Sequence, residues 1–96
     1  MITHVVLFKF KPETTAAEIQ HLAETLGELP QTIDEIREFR FGTDVIRSER
    51  SYDLGLISSF DDLAALQRYQ LHPEHQKVLA QVKTIISSVV AVDFDG

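Results

Sequence analysis

The stretch Ile2-Thr3-His4-Val5-Val6-Leu7-Phe8-Lys9-Phe10 governs how the rest of the chain is read. It is rich in β-branched and aromatic residues and is followed by Pro12, which predicts a strand over residues 2–10. Side chains alternate across a strand, so Ile2, His4, Val6, Phe8 and Phe10 share one face, and Thr3, Val5, Leu7 and Lys9 the other. Both faces are mostly apolar. A sheet with one wet face would carry polar residues on that side, so this strand is expected to be covered on both.

Working outward, Thr15 and Glu18 have capping-box spacing, and Ile19, Leu22, Ala23, Leu26 and Leu29 follow at helical intervals. This predicts a first helix over about 14–29, with Pro30 expected to stop it. Residues 36–45 read as a second strand with Phe39 and Phe41 on one face, and 52–60 as a third, Leu54, Leu56, Ser58 and Phe60 sharing a face. Asp61 is the expected cap of a second helix whose Leu63, Leu66 and Tyr69 point inward. His72-Pro73 should break it, because a residue before proline leaves the helical region while proline suits a first helical position. A further helix over about 73–84 and a strand over 87–94 complete the chain. In that last strand Val89 and Ala91 lie on one face and Val90, Val92 and Phe94 on the other.

The order β-α-β-β-α-β, with its second helical region broken at Pro73, specifies an α+β, ferredoxin-like subunit in one domain, 1–96. Helices in such a fold cover one face of the sheet only. The apolar second face then predicts a homodimer formed by sheet-to-sheet packing.

Ninety-six residues make a small core, and the absence of cysteine excludes disulfides, thiolate metal sites and cysteine nucleophiles. The net charge of −6 opposes binding to nucleic acid or to anionic membranes. No basic leader or membrane-length apolar run is present, so a cytoplasmic location is expected. No glycine-rich phosphate loop, GxSxG elbow or HExxH motif occurs, and no cofactor is expected.

Candidate chemistry rests on the four histidines. His21, beside Gln20 and Glu24, reads as a solvated helix residue. His4 stands in an apolar face, where it needs either a structural partner or a ligand. His72 and His75 have the spacing of a metal pair, but an extended His72 ahead of Pro73 spoils that geometry, and no metal is expected. Tyr69 and His75 flank the break and could converge as hydrogen-bond donor and general base on a carbonyl compound, or as a structural tyrosine–histidine hydrogen bond pinning the break.

Taken in order, His4-Val5-Val6-Leu7-Phe8-Lys9, Tyr52-Asp53, Tyr69-x-x-His72-Pro73-x-His75 and Val89-Val90-Ala91-Val92-Asp93-Phe94 resemble the stress-responsive dimeric α/β-barrel (Dabb) domain along nearly the whole chain. The resemblance implies a dimer whose two sheets form a barrel, with a pocket between each sheet and its helices. In a polyketide-cyclase branch of that family the tyrosine and second histidine act as the acid/base pair, with the strand-one histidine nearby. By position these are Tyr69, His75 and His4. Strand and helix parity adds Phe8, Leu56, Leu63 and Leu66 as an apolar wall. Two functions are therefore expected. One is a non-catalytic, small-molecule-binding or stress-protective dimer that takes a small apolar or aromatic ligand. The alternative is a cofactor-free acid/base enzyme, of polyketide-cyclase or isomerase type, acting on a small carbonyl compound.

Overall fold

The computed structural model describes all residues, Met1–Gly96, in the order β1 (Ile2–Phe10), α1 (Ala16–Thr32), β2 (Glu38–Thr43), β3 (Leu54–Phe60), α2 (Leu63–Leu71), α3 (Pro73–Ile85) and β4 (Ile86–Asp95). The strands form one antiparallel sheet in the order β2-β3-β1-β4, with β1 and β3 in the middle. The ferredoxin-like expectation holds.

The register decides which side chains meet. His4 pairs with Ser58 on one side and Asp93 on the other, and Val6 with Leu56 and Ala91. Ile2, His4, Val6 and Phe8 therefore face the helices with Leu54, Leu56, Ser58 and Phe60. The core between the layers joins Val6, Phe8, Leu54, Leu56 and Phe60 to Leu22, Leu26, Leu29 and Ile33 of the first helical segment and to Leu66, Tyr69, Val78, Val82 and Ile85 of the other two. On the far side, Leu7, Ile57, Val90, Val92 and Phe94 stay exposed. No helix is long and apolar enough to cross a membrane.

Local signals explain most element ends. Thr15 and Glu18 form both bonds of the capping box. Several boundaries differ from the sequence reading. The first helix starts at Ala16, and Pro30 lies inside it rather than ending it. Proline forfeits one backbone bond but keeps a helical φ, and the turn is closed beyond it by the Ile33 amide donating to the Leu29 carbonyl at 2.9 Å. Ile33 is fully buried and anchors that end. Asp62, not Asp61, caps α2 by accepting the Ala65 amide at 2.8 Å, while Asp61 pairs with Arg37 at 2.9 Å. The third strand begins at Leu54 rather than Tyr52. Asp53 is diverted into tying the β2–β3 connection to the end of β1: its amide donates to the Phe8 carbonyl (2.8 Å), and its carboxylate accepts the Phe10 amide (2.7 Å) and Arg47 (2.8 Å).

Candidate active site

The break at Pro73 lets α3 leave α2 at a new angle, and a cavity of about 460 Å³ opens between these helices and the sheet. Twelve of its sixteen lining residues are apolar, so a ligand there must be largely apolar, with few polar contacts to orient it. His4, Tyr69 and His75, three positions far apart in sequence, share that lining, with Phe8 and Leu56 of the sheet.

Tyr69 is the centre of the group. It is 2% exposed. Its ring packs on Phe60 at 4.8 Å between centroids, on His75 at 4.4 Å, and edge-on to His4 at 6.5 Å. Burial alone pushes its phenol well above the ordinary value, so near neutral pH it is an O–H donor. The hydroxyl makes no hydrogen bond within the chain and is not sealed in the core. The structural tyrosine–histidine hydrogen bond is therefore absent: the two rings pack at a tilt of 51° instead.

His75 is held through the other edge of its ring. Its Nδ1 meets the Gln70 carbonyl at 3.1 Å. A carbonyl only accepts, so Nδ1 carries the hydrogen and the neutral ring keeps its lone pair on Nε2. Burial lowers the imidazole from its ordinary value, and the Gln70 bond partly opposes this. The ring is thus biased toward the neutral, proton-accepting form.

His4 is 8% exposed and is not bonded to a backbone carbonyl. Its Nδ1 bonds the Asp93 carboxylate across the β1–β4 pairing. The carboxylate accepts, Nδ1 donates, and Nε2 has no partner in the chain. Two imidazoles thus flank one phenol, each tied down at Nδ1 with Nε2 left over. Such an arrangement can accept a proton at one point of a ligand and donate a hydrogen bond at another.

Two wall residues read from parity fall elsewhere. Leu63 is 66% exposed on the outside of α2. With Asp62 as cap it is the first helical residue, and at 100° per residue it lies about 110° from the buried stripe of Ala65, Leu66 and Tyr69. Leu66 is buried in the core but outside the cavity wall. In their places the wall is made by residues of α3 and by Val89 and Ala91 of β4. The sequence reading also passed over Asp93 and Gln70 as site residues, and gave Ser58 no role. Asp93 lies two residues beyond Ala91, so strand alternation puts it on the cavity face. Gln70 acts through its backbone, which carries no signal in residue type. Ser58 is cross-strand from His4, and its hydroxyl is the one fully buried side-chain polar atom without a partner.

His72 and His75 do not converge: their Nδ1 atoms engage the Glu74 amide and the Gln70 carbonyl respectively. His21 is exposed on α1. A shallower depression of about 650 Å³ lies on the opposite face of the sheet, where Gly42 and Gly55 leave a dip beside Leu7 and Ile57.

Comparison with known proteins agrees with the fold. An uncharacterised protein of Streptomyces coelicolor is 32% identical over 93 residues, covering 95% of this chain and 96% of that one. The olivetolic acid cyclase of Cannabis sativa is 28% identical over 76 residues, 77% of this chain and 75% of the cyclase. Among solved structures, a dimeric ferredoxin-like protein of unknown function from Thermobifida fusca superposes with a TM-score of 0.91 at 28% identity, covering 99% of this chain and 90% of that one. The family model described as the stress responsive A/B barrel domain matches residues 2–95, and the chain belongs to that family.

Proposed function

We propose that this protein is a homodimer, joined through the uncovered sheet face, whose subunits each bind a small, largely apolar carbonyl compound in the helix–sheet cavity and move a proton on it. His75 accepts the proton at Nε2. The Tyr69 hydroxyl donates a hydrogen bond to the carbonyl oxygen as negative charge develops there. His4, oriented by Asp93, faces the same space as a second proton-transfer group. The chemistry uses side chains alone and is of cyclase or isomerase type.

The observation that carries this reading is the Tyr69 hydroxyl. It is brought into an apolar cavity without a hydrogen-bond partner, beside an imidazole whose burial keeps it neutral. A purely structural pair would spend those atoms on each other. The 28% identity to a cyclase over three quarters of this chain supports the same direction. A second reading, non-catalytic binding in a stress-protective dimer, is favoured by the predominantly apolar wall and by the family's description.

The deciding experiment offers the protein a panel of aryl alkyl ketones in deuterated buffer and follows α-carbon deuteration by NMR. Wild type should accelerate exchange for at least one member. His75→Ala should lose about 100-fold or more, and Tyr69→Phe a smaller factor, in proteins with unchanged circular dichroism. Binding of a ketone without accelerated exchange would select the second reading.

A further inference from the structure

His72 occupies the gap between α2 and α3 and uses three of its groups at once. Its amide donates to the Tyr69 carbonyl at 3.1 Å, its carbonyl accepts the Gln76 amide at 3.0 Å, and its ring Nδ1 accepts the Glu74 amide at 3.1 Å. Pro73, the next residue, has no N–H, so Glu74 offers the first free amide of α3. The imidazole is thus the N-cap of the helix whose first turn carries His75.

N-caps are usually serine, threonine, aspartate or asparagine, whose oxygen accepts at any pH near neutral. An imidazole nitrogen accepts only while it lacks a hydrogen. Protonating His72 ends the bond to Glu74 and also sets a positive charge at the positive end of the helix dipole. Both effects loosen the same turn.

We propose that His72 is a positioning residue: its neutral ring holds the first turn of α3, and with it the packing of His75 against Tyr69, while its protonation releases that turn. The consequence for turnover rests on the reading of His75 as the proton acceptor; the cap itself does not. Glu35, ahead of β2, is held by Arg68 of α2 at 3.0 Å, a contact that keeps its carboxyl below the usual range. On α3, Glu74 is paired with Lys77 at 3.0 Å, and His75 is the neighbouring titratable group. Glu35, paired with Arg68, and Glu74, paired with Lys77, are the carboxylates on the elements around the ring.

The test compares wild type, His72→Asn and His72→Ala by NMR between about pH 8 and pH 5.5, the range in which histidine titrates. In wild type the Glu74 amide signal should shift with the same midpoint as the His72 ring. Its protection, corrected for intrinsic exchange, should fall about fivefold on acidification, the size of a lost cap. Cross-relaxation between the Tyr69 and His75 rings should weaken in parallel. Asparagine accepts at both pH values, so His72→Asn should keep the Glu74 amide protected and the ring contact intact at pH 5.5. His72→Ala should lose protection throughout. A wild-type Glu74 amide indifferent to His72 titration, or a His72→Ala protein with undiminished protection, overturns the cap. A ring contact that weakens equally in His72→Asn assigns the change to His75's own protonation and overturns the positioning role. None of these readouts needs turnover, so failure of the ketone assay leaves them decisive. If turnover is found, His72→Asn should exceed wild type at pH 5.5 and match it at pH 8.

Discussion

Substituting Leu7 by lysine should split the proposed dimer, and the size of the effect follows from what the subunit leaves uncovered. Leu7 is 39% exposed, and Ile57, Val90, Val92 and Phe94 on the same face are 37–56% exposed. Burying a whole side chain of this kind is worth about 1.5–3 kcal/mol, so Leu7 has about 1 kcal/mol still to gain from a partner. A twofold interface uses each position twice, which makes about 2 kcal/mol per dimer, or roughly thirtyfold in the dissociation constant. The lysine adds the cost of desolvating two ammonium groups on an apolar face, several kcal/mol more if they cannot reach water. A dimer with a dissociation constant of about micromolar should thus become monomeric at micromolar concentration. Sedimentation equilibrium of Leu7→Lys against wild type measures this. Leu63→Lys is the control, since Leu63 is equally apolar but lies on the outside of α2, away from the sheet. A wild-type monomer would refute the argument from both-face apolarity. A Leu7→Lys dimer as tight as wild type would refute the assignment of this face as the interface.

Three further outcomes follow from the inner face. Ser58 has a fully buried, unpartnered hydroxyl, so Ser58→Ala should leave stability unchanged or raise it by about 1 kcal/mol in urea unfolding; a loss of more than that would mean the hydroxyl serves His4, its cross-strand neighbour. Burial lowers the His75 imidazole below its unfolded value, so the unfolded chain binds the extra proton first. That part of the stability is present above the unfolded titration point, about pH 6.5, and shrinks as pH falls below it; His75→Gln should flatten the stability curve between pH 6.5 and pH 5, and an unchanged slope would show that His75 is not its source. Asp93→Asn keeps the shape but can present an amide donor to His4 Nδ1, so the ring should change tautomer, visible in its nitrogen shifts, and ketone exchange should slow while the fold survives.

The sequence made much of this legible because strand parity is so regular. Placing His4 on the face of Phe8, and Leu56 on the inner face of β3, needed only the period of two, and the same parity marked the second apolar face. The capping box at Thr15 and Glu18 and the break at Pro73 were local events and were read locally. What failed depended on helix phase or on distant pairing. Leu63 and Leu66 are three apart, but the buried stripe runs through Ala65, Leu66 and Tyr69, whose centre lies on the other side of Leu66 from Leu63. Pro30 was tolerated because Ile33, buried beyond it, gains more than one backbone bond costs. The His4–Asp93 pair spans 89 positions and exists only through the β1–β4 register, which composition does not encode.

The last strand has a consequence for how this chain can vary. Val89 and Ala91 of β4 line the cavity, while Val90 and Val92, interleaved with them, form the uncovered face. A single-residue insertion or deletion within β4 would exchange the two sets and move Asp93 away from His4, undoing the proposed assembly and the proposed site together. The register already absorbs one irregularity, at Lys9/Phe10, before those residues begin. The lineage should therefore drift freely in length at the loop between β2 and β3, yet keep the spacing from Val89 to Asp93 fixed while the identities of the apolar residues change.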